Sequence, residues 1–599
     1  VQLADFEAAN NLVQLFLDRA DELGDAPFLF AKHKGDWHAL TWREAAGHVC
    51  RIAESLRALG LEDGDRVVLV SENRPEWCLA DLAIMAAGCI TVPAYTTNTE
   101  RDHRHILTDS GARAAIVSNP ALAGPLLAAA ADCPLLEHVI GIELDDAQGP
   151  SFAFHPWADL LAGEETTARQ AVAARLAAIG RRDTACIIYT SGTGGTPRGV
   201  ILSHGAILAN VDGAATVLVT DYGWEVHRFL SFLPLSHAYE HTAGQFLPIG
   251  MGAEIWYAQN LEKLAANIAE VKPTFMVVVP RLFEMLRTKI IREVCRQGRI
   301  ARWLMDQALA LGERQTEGRQ RPGDRLLDKV LDRTLRPRIR HRFGGRIHAL
   351  VSGGAPLNTE VGRFFQALGI TVLQGYGQTE AAPVISCNYP SAGIRLDTVG
   401  PPLKGTKVRI AEDGEILVRG EVVMKGYWNN PQETAHALRD GWLHTGDVGH
   451  LDDGGRIVIT DRKKDIIVND KGDNVAPQKI EGMLTLQPEI GQAMVHGDRK
   501  PYVVALVVPD AEWAFEWAQA ANEPFDLTHL QHLPPFRSAI RSAVDRMNED
   551  VPVTEKVRQF AFADEPFTIE NEELTPSLKI RRHKLRERYA DRLERLYKA

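Results

Sequence analysis

Short apolar runs that stop at Gly, Ser or Pro recur along this chain, with helix-patterned segments between them. Asp65–Ser71, Ala114–Ser118, Ala185–Tyr189, Thr274–Val279, His348–Val351 and Ile370–Leu373 are rich in Val, Ile, Leu and Ala. Too short for buried helices, they read as strands covered on both faces. Thr41–Gly60 and the segment from about Gly205 instead carry apolar residues at helical spacing. This alternation predicts an α/β fold with mainly parallel strands, since each parallel pair needs a crossover. Ligands in such folds gather beyond the carboxyl ends of the strands, where many of the Gly, Ser and Pro residues fall.

The texture changes after about residue 395. Val408–Ile410, Glu415–Val418 and Gly455–Ile459 are closely spaced, with turns at Glu412-Asp413-Gly414 and Asp452–Gly455, which predicts a small, mainly β subdomain over about 395–462. From 463 to 599 a separate α+β unit is expected, with strands near Ala493–His496 and Val503–Val508. The fold expected is a large N-terminal domain (1–462) of layered α/β sheets plus the β subdomain, then a small α+β C-terminal domain. The 599 residues exceed what one core holds. Residues 291–342 form a helix-prone insert with 14 basic and 7 acidic residues. It reads as a solvated helical face, with an anionic membrane surface as the lesser alternative. The basic tail from Arg581 spaces Leu585, Tyr589, Leu593 and Leu596 for a helix. Docking on its own domain is favoured over a membrane anchor.

A net charge of −11 argues against a nucleic-acid partner. Seven scattered cysteines make no CxxC pair and no metal spacing, so reduced thiols are expected. The chain opens on Val1, which reads as a trimmed start, and Asp5 and Glu7 replace the basic residues of a secretory signal. The best membrane candidate, Leu82–Tyr95, is short of the ~18 residues a span needs and holds Gly88 and Pro93. A soluble or peripheral protein of the cytoplasm is expected.

The stretch Ile187–His204 is the most informative for chemistry. A strand pattern runs into Thr190, Ser191, Gly192, Thr193, Gly194, Gly195 and Thr196, followed by Pro197 and Arg198. Small residues let backbone N–H groups approach an anion, hydroxyls add donors, and Arg198 adds charge. A helix from about Gly205 is expected to turn its positive end toward the same place. The common nucleotide loop is excluded, because no Gly-Lys-Ser/Thr follows. By itself the stretch reads equally as a phosphate cradle or a surface loop.

Five more segments weight the choice. Val351–Leu357 ends a strand in a small-residue turn. Leu373–Glu380 ends the next with Gly375, Tyr376, Gly377 and a carboxylate. Gly441–Gly449 offers an isolated Asp447, and Asp461–Val468 opens the last domain. Near the C-terminus Leu574–Arg582 presents Lys579. In this order and spacing the chain resembles the adenylate-forming acyl-CoA synthetase superfamily of AMP-binding enzymes, from about Phe6 to Arg582. Leu233–Glu240, Val279–Glu284, Phe343–Arg346 and Asp470–Gln478 make it most similar to the long-chain fatty acyl-CoA synthetases.

The resemblance implies an ATP-, Mg²⁺- and coenzyme A-dependent ligase. A fatty carboxylate attacks ATP to give an acyl-adenylate and pyrophosphate; coenzyme A then takes the acyl group and AMP leaves. It implies that Thr190–Thr196 hold the β- and γ-phosphates, with Arg198 adding charge. Glu380 binds Mg²⁺ and Thr379 contacts the α-phosphate. Gly353, Gly354, Ala355, Pro356, Gln374, Gly375, Tyr376 and Gly377 shape the adenine slot. Asp447 holds the ribose, with Arg462 at the ribose or phosphate end. Lys579 bridges the fatty carboxylate and the α-phosphate, and His237 stands beside the acyl carbonyl. The C-terminal domain is implied to rotate about Lys464, after which Asp470–Asn474 line the pantetheine tunnel.

His237 and His241 are spaced i,i+4 without a third zinc ligand nearby. His241 reads as structural, with Tyr239 or His241 as the lesser choice of tunnel gate. Gly194 and Arg198 depart from the family loop, which has Thr and Lys there; Asp473 stands where many relatives have Gly. The alternatives are a ligase for a medium-chain or aromatic acid, and a non-catalytic acyl-binding relative. Peripheral membrane contact and a dimer are left open.

Overall fold

The computed structural model describes residues 6–147, 149, 152–190, 197–316, 318–319, 321–470, 473–575 and 579–598. Its N-terminal part is built on two eight-stranded sheets. One runs, edge to edge, Val384–Cys387, Val372–Gly377, Ala349–Ser352, Phe275–Val278, Arg228–Ser231, Glu254–Tyr257, Pro27–His33 and Asp36–Thr41. All neighbours are parallel except at the two edges. The other runs Gly426–Tyr427, Arg198–Ser203, Thr184–Thr190, Ile90–Ala94, Arg66–Val70, Ala114–Val117, His138–Gly141 and Ala153–Pro156. Its last six strands are parallel and its first two antiparallel.

One core is shared between the sheets, joining Val67, Leu69 and Ile116 of one to Phe28, Phe229, Ile255 and Phe275 of the other. The helix Pro75–Ala86 lies in it and is buried on every side from Trp77 to Ala86, as a helix apolar all round must be. The helix Trp42–Ala58 instead buries one face and starts at a capping box in which Thr41 and Glu44 satisfy each other's amides.

Two elements depart from the sequence reading. The strand expected at Ile370–Leu373 starts at Val372 and continues through Gly377, because Gly375–Gly377 pair with the added edge strand Val384–Cys387. The helix after the Gly/Ser/Thr stretch, His204–Tyr222, does not point its amino end at that stretch. Arg198–Ser203 folds back as a strand on Thr184–Thr190, in the register Thr190↔Arg198 to Thr184↔Ser203. The helix therefore starts at the far end of the hairpin, about 20 Å of strand away, and its dipole is spent elsewhere.

The β subdomain is antiparallel: Lys407–Ile410, Glu415–Arg419, Trp442–Leu451 and Leu438–Arg439, with Ile457–Arg462 on Trp442–Leu451. The C-terminal unit centres on Ile490–His496, Val503–Pro509 and Val557–Phe562. Val503, Ala505 and Val507 face the core with helices Pro477–Leu484 and Pro534–Glu549, while Val504, Leu506 and Val508 face Leu585, Tyr589 and Leu593 of the tail. The tail's apolar stripe thus docks on its own sheet. The basic insert is helical (Arg299–Thr316, Asp324–Thr334, Arg336–Arg342) and buries Met305, Leu311, Leu331 and Ile339. Among the described residues no helix is long and apolar enough to cross a membrane.

Candidate active site

A cleft of about 2440 Å³ opens between the N-terminal sheets, the β subdomain and the C-terminal unit. Of the described site candidates from the sequence, all but His241 and the Asp470–Asn474 segment line it. Thr190 and Arg198 face each other across the hairpin mouth; Ser191–Thr196 lie outside the described residues. Gly353–Pro356 follow strand Ala349–Ser352, and Gln374–Gly377 end the neighbouring strand. Thr379 and Glu380 form the single-turn helix after it. The carboxyl ends of the parallel strands thus build one wall, as the alternating pattern predicts.

Backbone crowding selects glycine there. A Cβ on Gly377 would lie 2.0 Å from the Pro383 carbonyl oxygen, and one on Gly353 would lie 2.7 Å from the Tyr239 ring. Two buried acceptor or hydroxyl atoms at these strand ends, Gln374 Oε1 and Ser352 Oγ, have no protein partner. Asp447 sits opposite, mid-strand, in register with Arg462. Its Oδ2 accepts from the Tyr376 hydroxyl at 2.7 Å and its Oδ1 from Arg462 Nε at 2.9 Å. A carboxylate has about four acceptor sites, so each oxygen keeps one free. Orphaned polar atoms, a buried aromatic face and a half-used carboxylate fit a nucleoside.

Glu380 Oε1 accepts from the Tyr427 hydroxyl at 2.8 Å. Tyr427 comes from the edge strand Gly426–Tyr427, laid on Val200 and Ile201. Arg198 spreads its guanidinium 4.7 Å over the Tyr427 ring and pairs with Glu433. The remaining acceptor positions of Glu380 are hard oxygen donors facing the cleft, which fits Mg²⁺.

Lys579 reaches the cleft from the C-terminal unit. Its surface is accessible, yet its ammonium is surrounded by protein, the situation of a side chain projecting into a closed cleft. Desolvation, then the nearby Arg462 cation, push its pKa down to about 8, against the pull of Asp447, Glu380 and Asp465. Burial, with Lys579 nearby, holds the His237 pKa down to about 3. His237 Nδ1 accepts from the Tyr239 amide at 3.2 Å, which leaves an Nε2–H donor on a neutral ring. Lys464 is exposed on the turn between Ile457–Arg462 and Ile467–Val468. Burial, above all, raises the Asp461 pKa to about 6.

His241 is not at the cleft. It is fully buried and pairs with Asp81 at 2.9 Å, where Gln245 also donates. It is a structural histidine, and the gate role falls away because the π-helix His241–Phe246 turns it into the core. Tyr239 does line the cleft, its hydroxyl tied to the Val351 carbonyl at 2.9 Å. Of the Asp470–Asn474 segment, 471–472 lie outside the described residues and Asp470 and Asp473 are off the cleft wall. Sequence reasoning missed Tyr427, Glu433 and the contact of Arg292 with Asp510 at 2.9 Å, which ties the helix Pro280–Arg296 to the C-terminal unit. Each partner lies far along the chain, with no local spacing to betray it.

The AMP-binding enzyme family model matches residues 16–428, and the AMP-binding enzyme C-terminal domain matches residues 464–599. The long-chain-fatty-acid–CoA ligase FadD15 of Mycobacterium bovis is 35% identical over 574 residues, covering 94% of this chain and 93% of that protein. The peroxisomal long chain acyl-CoA synthetase 7 of Arabidopsis thaliana is 31% identical, covering 94% of this chain and 82% of its own. The adenylation domain of a carboxylate reductase from Mycobacterium chelonae has the same fold, with a TM-score of 0.74 at 23% identity over 99% of this chain and 92% of that one.

Proposed function

This chain belongs to the AMP-binding enzyme family, and from that premise we propose that it is a long-chain fatty acid–CoA ligase. It uses ATP to make an acyl-adenylate and passes the acyl group to coenzyme A. The relatives named for long-chain fatty acids support the substrate class. The observation that carries the mechanism is the meeting of Lys579 from one lobe with Glu380, Asp447 and Arg462 from the other.

The first half-reaction brings a carboxylate up to a polyanion, so charge is its main obstacle. Tyr376 and Asp447 orient the nucleoside, the Asp447 oxygens taking hydrogen bonds from the ribose. Thr190–Thr196, with Arg198, hold the outer phosphates, and Thr379 the α-phosphate. Glu380 would hold Mg²⁺, which would supply charge neutralisation at the phosphates. Lys579 keeps a positive charge between the attacking carboxylate and the α-phosphate, and the neutral His237 Nε2–H faces the acyl end. Fixing both reactants makes the attack effectively intramolecular. The anhydride forms as the α-phosphorus–oxygen bond to pyrophosphate breaks.

The second half-reaction needs the thiol to reach the acyl carbon where Lys579 stood. The C-terminal domain, 463–599, turns about Lys464 and takes Lys579 with it. The thiol gives up its proton to solvent, the sulfur bonds to the acyl carbon, the acyl–phosphate bond breaks and AMP leaves. The unpaired thiols suit a reducing cytoplasm.

The test is fatty acid-dependent exchange of labelled pyrophosphate into ATP, followed by coenzyme A-dependent AMP release, across saturated acids of increasing length and an aromatic acid. Turnover peaking at long acids is expected. A preference for the aromatic acid, or no exchange with any acid, overturns the reading.

A further inference from the structure

The sheet that carries the cleft at one end carries a second cluster of ligating side chains at the other. Among the described residues one group of His and Glu side chains brings three donor atoms within 4.8 Å of one another: Glu225, His227 and His348. Glu225 lies in the loop after helix His204–Tyr222, His227 immediately before strand Arg228–Ser231 and His348 immediately before strand Ala349–Ser352. These are the amino ends of parallel strands. Gly353 and the cleft wall lie at the carboxyl end of the second, about 13 Å of strand away. The cluster is therefore separate from the ligase chemistry.

Its geometry is that of a prepared site. His227 is 1% exposed. Its Nε2 donates to the Gly223 carbonyl at 3.3 Å, which leaves a bare lone pair on Nδ1. That atom is buried without a hydrogen-bond partner and lies 3.8 Å from the Glu225 carboxylate. A second nitrogen, His348 Nε2, is 2.6 Å from the same carboxylate oxygen. A hydrogen bond between His348 and Glu225 accounts for two members and leaves the third orphaned. A cation among them satisfies all three.

The supports are rigid. The Phe275 ring packs 5.0 Å from His227 and 5.6 Å from His348, and Tyr222 packs 5.5 Å from His348. The His227 carbonyl accepts from Glu254 and the His348 amide donates to Thr274, at 2.9 and 2.8 Å, so both histidines are fixed to the strand ladder. A backbone carbonyl on the far nitrogen of a ligating imidazole is the usual device for fixing its tautomer. Glu225 is exposed and gives an entry path.

We propose that Glu225, His227 and His348 form a zinc site that clamps the turn after helix His204–Tyr222 to the strand leading to Gly353. Two imidazoles and one carboxylate, with water in the fourth position, suit this borderline cation better than the harder Mg²⁺. On binding, the His348 proton relocates from Nε2 to Nδ1 through water, and the carboxylate stays ionised, so no net proton is released.

The test uses the full chain, freed of any affinity tag and stripped with a chelator, titrated with zinc sulfate. Uptake of one zinc per chain is expected, with a higher thermal midpoint in zinc that equal magnesium does not reproduce. Cobalt in its place is expected to give the intense visible absorption of a four-coordinate site. Glu225→Gln and His348→Asn, both at accessible positions, are each expected to weaken zinc binding by about 100-fold or more, with ligase activity in zinc-free buffer unchanged. Substitution of the buried His227 risks the fold, so these two variants carry the test. No uptake by the wild-type chain, or undiminished uptake by the double variant, overturns the site.

Discussion

At the scale of single residues, the cleft sets Lys579 and His237 at unusual protonation balances. The proposed mechanism uses Lys579 as a cation, and its pKa lies at about 8 because the surrounding protein strips water from the ammonium. It is protonated below that pH and loses its charge above it. The kcat/KM for adenylation, which reports the free enzyme, is expected to fall along an alkaline limb near pH 8. In kcat the limb should move up, because bound triphosphate and carboxylate favour the ammonium. Lys579→Ala is expected to slow adenylation about 10²–10³-fold, with thioester formation from supplied acyl-adenylate nearly unchanged. Equal loss in both half-reactions rejects the bridging role. Tyr427 offers a gentler test, since its hydroxyl holds Glu380 at 2.8 Å. Tyr427→Phe should raise the magnesium needed for half-maximal rate by about tenfold, and an unchanged magnesium titration counts against Glu380 as the ligand. That Glu380, Asp447, Arg462 and Lys579 share one cleft was foreshadowed because each sits in a short motif. Tyr427 was not, because it reaches Glu380 only through the pairing of Gly426–Tyr427 with Arg198–Ser203.

At the scale of elements, the proposed hinge makes the turn after Arg462 the place where the two half-reactions can be separated. It is held by the amides of Lys463, donating to Gly446, and of Asp465 and Ile466, donating to Arg462. A proline at 464 therefore deletes none of these bonds while locking one backbone dihedral. Lys464→Pro is expected to keep adenylation within a few-fold and to slow thioester formation about 10²-fold or more, the cost of a misplaced reactant. Single-turnover assays of each half-reaction separate the two, and a variant slowed equally in both rejects the hinge. The latch on the opposite side is weaker. Arg292 with Asp510 is partly exposed, so it contributes only about 0.2–1 kcal/mol. Arg292→Ala should slow adenylation by no more than about fivefold and leave thioester formation as fast or faster. A much larger loss would show that this pair orders the cleft rather than balancing two arrangements. The strands were readable because Val, Ile, Leu and Ala runs end abruptly at Gly, Ser or Pro. The hairpin of Thr184–Thr190 with Arg198–Ser203 was not, since Gly199–Ser203 is apolar enough to read as the approach to a helix. The placing of the helix dipole failed with it.

At the scale of the whole molecule, the two lobes have separate cores. The clusters around the large sheets are built from residues up to Ile457, and those of the C-terminal unit from Ile467 onward. Leu486 of the C-terminal unit packs against the N-terminal core, and among the described residues ion pairs also join the lobes: Arg292 with Asp510 and Glu512, Arg296 with Glu512, and Lys463 with Asp413 and Glu415. Such contacts break at small cost, whereas each core resists opening. In the sequence, the expectation of a separate unit from 463 rested on the motif at Asp461 and the α+β pattern after it. Which sheet edges face the cleft was not legible there, because pairings such as Tyr376 with Ser386 or Asp447 with Arg462 follow from register rather than composition. Calorimetry of the ligand-free chain should therefore resolve two unfolding transitions. A non-hydrolysable acyl-adenylate analogue touches groups from both lobes, so at about 100 times its dissociation constant it adds about 2.7 kcal/mol to a state that exists only when both are folded and closed. The lower transition should move up toward the higher, and Lys579→Ala should weaken that shift. A single transition without ligand, or an analogue that moves only the larger lobe, would mean that the lobes do not close on the nucleotide as independent bodies.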